Sequence, residues 1–138
     1  MTRSENNFEI KLRNAEGVPV LQICGDITES ALRSMKSMLE KLASAGHYNI
    51  VINLERAQAA NWKFLTNLTD TVRNIRSHYG AVDIVATQEL IQQLIKIDPI
   101  SHLFRLSRSE SQAISRIKRL FWQTERISQT NARLLENP

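Results

Sequence analysis

Residues 48–54 read Tyr48-Asn49-Ile50-Val51-Ile52-Asn53-Leu54, and their unbroken apolar centre is typical of a β-strand buried on both faces. On each side of this strand, apolar residues recur at intervals of three and four, which predicts amphipathic helices. Helices that flank a buried strand favour a parallel sheet, because they carry the crossovers between parallel strands. This helical spacing is found in Leu32, Met35, Leu39 and Leu42 before the strand, and in Leu65, Leu68, Val72, Ile75 and Tyr79 after it.

The residues that precede the first helix predict a β-hairpin. Residues 8–13 alternate between apolar and polar side chains, residues 14–17 have the composition of a turn, and residues 18–24 supply the second strand. Thr28 suits the N-cap of the first helix, and Gly46 suits its end. One antiparallel edge strand should therefore join the parallel ones.

The second half of the chain continues to alternate helices with strands. We expect a helix over residues 62–79, a strand over 82–86, a helix over 88–97, a strand over 102–106 and a last helix capped by Ser109. The predicted fold is α/β, with a single mixed, mostly parallel sheet of about five strands and about four helices.

Composition bounds the class of protein. Apolar residues make up 42% and charged residues 23%, as in soluble globular domains. No run of about 18 apolar residues occurs, so no membrane span is expected. The first residues lack the apolar stretch of a secretory signal, and the single Cys24 excludes an intramolecular disulfide. We therefore expect a cytoplasmic protein.

The net charge of +4 is concentrated near the C-terminus, because residues 101–138 hold seven Arg and Lys against three Glu. We assign the domain to residues 1–118 and a C-terminal helical extension to residues 119–138. Apolar residues of the extension recur every seven positions, which suits a second copy of the chain or a partner helix, although they could also pack back on the domain. No nucleic-acid-binding motif accompanies the basic residues, so a nucleic-acid partner is not favoured. The heptad positions are Leu120, Ile127 and Leu134.

Neither a catalytic centre nor a cofactor or metal site is predicted. No Cys, Asp or second His lies three or four positions after any of the three histidines, and no Gly-rich phosphate loop or nucleophile elbow occurs. Cys24 ends a buried strand and fits a small core residue better than a nucleophile. The chain therefore looks non-enzymatic, with dispersed catalytic residues as an open alternative.

The loop between the strand at 48–54 and the next helix is the most informative segment for function. Partners of α/β sheets tend to meet the ends of strands and the starts of the following helices. Asn61 suits an N-cap, and Trp62 and Phe64 could anchor an interface, with one of them entering the core instead. Lys63 is unusual there, because a cation opposes the dipole at a helix N-terminus.

The element order, together with three segments of sequence, resembles the STAS family of anti-sigma factor antagonists over about residues 8–117. The segments are Ile23-Cys24-Gly25-Asp26-Ile27, Ile50-Val51-Ile52-Asn53-Leu54, and residues 94–106. The resemblance implies a mixed sheet with helices packed on it and a role in binding other proteins, often a kinase that is also an anti-sigma factor. Many members carry Asp-Ser-Ser-Gly or Asp-Ser/Thr-x-Gly at the start of the second helix, where the kinase phosphorylates the Ser or Thr.

This sequence departs from the family at that motif. An ungapped register places the motif on residues 61–64, with Lys63 at the phospho-acceptor position and Phe64 at the glycine. Thr28 falls where an acidic residue is often found. Thr66 and Thr69 lie one or two turns further on, without a feature that marks them as acceptors.

The sequence thus predicts a non-enzymatic protein–protein interaction module that resembles an anti-sigma factor antagonist and is not switched by phosphorylation at Lys63. Its role would be in signalling and transcription regulation in a bacterium, without a cofactor. The expected partner-binding residues are Asp26, Thr28, Asn61, Trp62, Lys63 and Phe64. Two alternatives stay open: a structural subunit of a stressosome-like or transporter-associated assembly, and a small-molecule-binding α/β domain.

Overall fold

The computed structural model describes residues 8–119, in which one five-stranded sheet has helices on both faces. The strands lie in the order β1-β2-β3-β4-β5; β1 pairs antiparallel with β2, and the other neighbours are parallel. The predicted mixed, mostly parallel sheet is confirmed. The strands are β1 (Phe8–Ala15), β2 (Val18–Asp26), β3 (Asn49–Gln58), β4 (Ala81–Val85) and β5 (Arg105–Ser107).

The helices alternate with the parallel strands, as the apolar spacing predicts. A 3-10 helix directly precedes α2, and the last helix, α5, covers residues 110–119. The other helices are α1 (Glu29–Ser44), the 3-10 helix (Trp62–Leu68), α2 (Thr69–Ser77), α3 (Gln88–Leu94) and α4 (Ile100–Leu103).

The first face of the sheet carries the main core. Apolar side chains from β2, β3 and β4 pack there against α1, α2, α3 and α4. Ile50, Ile52 and Leu54 of β3 are all buried on this side, while Val51 is buried on the other, which confirms a central strand buried on both faces.

The second face has a smaller apolar cluster beneath α5. Val18, Val20, Val51 and Val85 of the sheet pack there against three buried side chains of the helix. Ser109 caps α5 as predicted, since its Oγ accepts from the backbone N–H of Gln112 at 3.1 Å. The three helix residues are Ala113, Ile114 and Ile117.

The helix predicted over residues 62–79 is divided, and it is shorter than expected. It starts as a 3-10 helix, continues as α2 and ends at Ser77. Leu65, Leu68, Val72 and Ile75 are buried as predicted, but the assignment of Tyr79 to the same stripe is wrong. Tyr79 is 99% exposed, because α2 closes before it and its backbone is left-handed, with φ +62°.

Further boundaries differ from the prediction. β3 runs to Gln58, through residues that were expected to lie in the loop after the strand at 48–54. The helix expected over residues 88–97 ends at Leu94. The strand expected over residues 102–106 starts only at Arg105, because residues 100–103 form the short helix α4. A short apolar run has no periodicity that separates helix from strand, and Pro99 lies at the N-cap of α4, where its missing N–H costs no helical hydrogen bond. The predicted extension beyond residue 119 and its heptad positions lie outside the described residues.

Candidate functional site

The two segments singled out by the sequence leave the sheet at the same edge. β2 and β3 are parallel neighbours whose last pair is Asp26 and Gln58. Beyond that pair, the backbone N–H of Ile27 donates to the carbonyl of Gln58 at 2.7 Å, while the Ile27 side chain is buried. The Asp26 side chain is exposed beside this junction. The carboxyl ends of the two strands thus form one surface.

Asn61 organises the start of the 3-10 helix at this edge. Its backbone is extended, and its side-chain oxygen accepts from the N–H of Lys63 at 3.0 Å, as expected of an N-cap. Lys63 is exposed, and Phe64 is 42% exposed, one of the few large apolar side chains that the described chain presents to solvent. Trp62 is half-buried against the main core. The expectation that only one of the two aromatic residues enters the core agrees with this arrangement.

The threonines near this edge are engaged with the backbone. The Thr28 hydroxyl accepts from the N–H of Ala31 at 3.3 Å and caps α1. Thr66 and Thr69 donate to carbonyls three residues earlier, at 2.7 and 2.6 Å. Thr28 therefore has a structural task in addition to its predicted place in the partner-binding surface.

A polar cluster on the second face of the sheet was missed by the sequence-based interpretation. Glu110, at the start of α5, accepts hydrogen bonds from Arg13 of β1 and Asn53 of β3. Burial alone would raise the pKa of Glu110, but these hydrogen bonds outweigh it and hold the pKa below its ordinary value. Arg13 also donates to Gln22 at 3.0 Å, so the cluster joins α5 to three strands.

A second carboxylate lies under the same helix. Asp83, in β4, is fully buried, and Arg116 Nη1 of α5 approaches its Oδ1 to 3.7 Å. Neither carboxylate oxygen has a hydrogen-bond partner among the described residues. Burial raises the pKa of Asp83, and the charges of Arg116 and Arg105 offset part of that rise. Asp83 is thus a buried acid that the fold tolerates in the middle of a strand.

The sequence carried one signal for these contacts. A lone aspartate interrupts the apolar strand Val82–Ala86, and a buried acid needs partners, which points to a basic residue on a covering helix. The partners of Glu110 had no comparable signal, because Arg13 is 97 positions away and strand register decides which residues meet.

No group of three or more His, Cys, Asp or Glu side chains between residues 8 and 119 could hold a metal ion. In the same range, none of the helices combines the length and the apolar character needed to span a bilayer.

The architecture is similar to solved structures of anti-sigma factor antagonists. One from Mycobacterium paratuberculosis has a TM-score of 0.65 and 11% identity, over 86% of this chain and 99% of that one. The Bacillus cell fate determinant SpoIIAA in its phosphorylated form has a TM-score of 0.61 and 14% identity, over 79% and 99%. The unphosphorylated form of SpoIIAA gives 0.61 and 14%, over 80% and 98%. No protein-family model matches the chain, and no curated protein is similar to it in sequence.

These likenesses define the class of fold. The chain has the fold of the anti-sigma factor antagonists, and the predicted STAS-like fold is confirmed.

Proposed function

We propose that this protein is a non-enzymatic regulatory module that binds another protein, in the manner of an anti-sigma factor antagonist. The observation that carries the proposal is the fold, which two proteins of that class share over about four-fifths or more of this chain. The partner is an anti-sigma factor, or a kinase-like protein that acts as one.

The binding surface in this proposal is the edge formed by residues 25–28 and 61–64. Phe64 supplies an exposed aromatic anchor, and Lys63 supplies a charge beside it. Trp62 supports the surface from below, because it packs on the main core. A fixed, N-capped start of the 3-10 helix holds the anchors in place before the partner arrives, which lowers the entropic cost of binding.

We further propose that phosphorylation at the usual position does not regulate this surface. SpoIIAA has been solved both with and without phosphate. Lys63, at the position where the ungapped register places the acceptor, has no hydroxyl to accept a phosphoryl group. Its ammonium group instead favours an acidic group on the partner.

Co-purification from the host with variants of this surface tests the proposal. The double variant Lys63→Glu, Phe64→Ala should lose a stoichiometric partner that the native chain retains, because it removes the anchor and inverts the charge. Both side chains are exposed, so circular dichroism should report an unchanged fold.

Tyr79→Ala provides the matched control. It removes another exposed aromatic residue, which lies where α2 leads into β4, outside the proposed surface. The proposal is wrong if both variants retain the partner equally.

A further inference from the structure

β1 is an edge strand that is long enough to pair with another chain. It has eight residues and pairs with β2 on one side only among the described strands. Leu12, near its middle, is 53% exposed although it is a large apolar residue. An open strand edge presents unpaired backbone groups and is a template for strand addition.

The hairpin turn determines which backbone groups of β1 point to the open edge. Glu16 and Gly17 both have positive φ, +54° and +88°, which defines a two-residue type I′ turn closed by the pair Ala15 and Val18. Hydrogen-bonded pairs alternate along an antiparallel ladder, so odd-numbered residues of β1 bond to β2. Even-numbered residues direct their N–H and C=O groups outward. Pro19, which has no N–H, is paired with an even-numbered residue, Asn14, in agreement with this assignment.

We propose that a second copy of this chain pairs antiparallel with the open edge of β1, around a two-fold axis at Ile10. In this register Phe8 lies opposite Leu12 of the second copy, and Ile10 lies opposite its own equivalent. Glu9 lies opposite Lys11 of the second copy, twice per dimer. The exposed apolar side chain of Leu12 gains an apolar neighbour, and each charge gains an opposite one.

The charges select this register over its neighbours. A shift in one direction places Glu9 opposite Glu9 of the second copy. A shift in the other places Lys11 opposite Lys11 and Glu9 opposite Arg13, but the Arg13 guanidinium is already paired with Glu110. These residues form the non-hydrogen-bonded pairs, in which opposed side chains are closest, so like charges repel most there. Only the register centred on Ile10 opposes unlike charges at both positions. The two five-stranded sheets then join into one, with α1 of both copies on the same side.

The dimer uses residues different from the proposed partner-binding surface, so the two proposals can fail separately. Glu9 and Lys11 are 63% and 62% exposed and contact each other at 3.8 Å, so that single substitutions leave the core of the domain intact. Sedimentation velocity of the full-length chain over a concentration series measures the dimer directly.

Charge reversal provides a specific test of the register. Glu9→Lys alone and Lys11→Glu alone should each weaken the dimer about tenfold or more, because each creates two like-charge pairs. The double variant Glu9→Lys, Lys11→Glu should restore it. An equimolar mixture of the two single variants should form heterodimers, because one copy then carries two lysines and the other two glutamates. Glu40→Lys, an equal charge change on the exposed side of α1, should leave the dimer unchanged.

Three results would overturn the proposal. The first is a native chain that stays monomeric at the highest concentration at which it is soluble. The second is a dimer that both single reversals leave intact. The third is a mixture of the single variants that sediments as monomers although each variant is folded by circular dichroism.

Discussion

Gly80 lies against the backbone of Tyr48 at the point where α2 has ended and β4 begins, and Gly80→Ala tests this close approach. A Cβ atom at residue 80 would lie 1.8 Å from the carbonyl oxygen of Tyr48 and 2.5 Å from its Cβ. Neither contact can be relieved by rotating a side chain, because the nearest atom belongs to the backbone. The start of β4 must therefore move away from β3 by more than 1 Å, roughly the difference from ordinary van der Waals contact.

The cost follows from the contacts that this movement breaks. The N–H of Ala81 donates to the carbonyl of Tyr48 at 2.8 Å, and the Tyr48 ring stacks on His78 with ring centroids 4.3 Å apart. One hydrogen bond and one stacked pair are each worth about 1 kcal/mol. With the strain that remains, we expect Gly80→Ala to lower the free energy of unfolding by about 2–3 kcal/mol, measured by urea denaturation and circular dichroism.

Tyr79→Gly is the matched control one residue earlier. Tyr79 holds a left-handed backbone at φ +62° and is 99% exposed, so glycine relieves the strain without loss of packing. We expect a gain of up to about 1 kcal/mol, since the greater freedom of glycine in the unfolded chain offsets part of the relief. The reasoning is refuted if Gly80→Ala changes stability by less than about 0.5 kcal/mol, the usual range for neutral surface substitutions, or if Tyr79→Gly is the more damaging of the two.

Glu110 of α5 and Asp83 beneath that helix are predicted to give opposite pH dependences. The pKa of Glu110 is lowered in the folded state, so its contribution is complete above the ordinary value of 4.5 and is lost as the pH falls through the lowered pKa. Glu110→Gln should therefore lower the free energy of unfolding by about 1 kcal/mol at pH 7, and by progressively less as the pH falls below 4.5. Urea denaturation at pH 7 and at acidic pH measures both effects. The pKa of Asp83 is raised, so the native chain is favoured below 3.8 and loses stability as the pH rises through the raised pKa. Asp83→Asn should remove this loss of stability, so the variant should be at least as stable as the native chain at pH 7. A large destabilisation of the variant at pH 7 would contradict the prediction.

The sequence predicted the sheet because the pattern that defines it is local. The apolar run in β3 and the spacing of Leu32, Met35 and Leu39 in α1 each arise within one element, and all of these residues are buried. The turn at residues 16–17 was also visible, since a glycine between two alternating segments is a local signal. Element order and sheet class follow from such signals together.

The contacts on the second face could not be predicted in the same way. Whether Arg13 meets Glu110 depends on the registers of β1, β2 and β3 and on the path of α5, none of which the sequence specifies locally. The 3-10 geometry of residues 62–68 was missed for a related reason, because the same apolar positions satisfy a 3-10 helix and an α-helix. For the candidate surface, the sequence supplied the residues, while the structure supplied their exposure.

The two ion pairs of the first hairpin with α5 also bear on when this domain can fold. Arg13 pairs with Glu110 and Glu16 pairs with Lys118, across 97 and 102 positions of chain. During synthesis the hairpin leaves the ribosome long before Glu110 and Lys118 do. Until α5 packs on the sheet, the valines on the second face of the hairpin are therefore exposed to water. Contacts of such sequence separation also slow the search for the native topology. A nascent chain arrested before residue 110 therefore exposes an apolar sheet face that the finished protein keeps covered, which makes this interval the time when chaperone protection matters most.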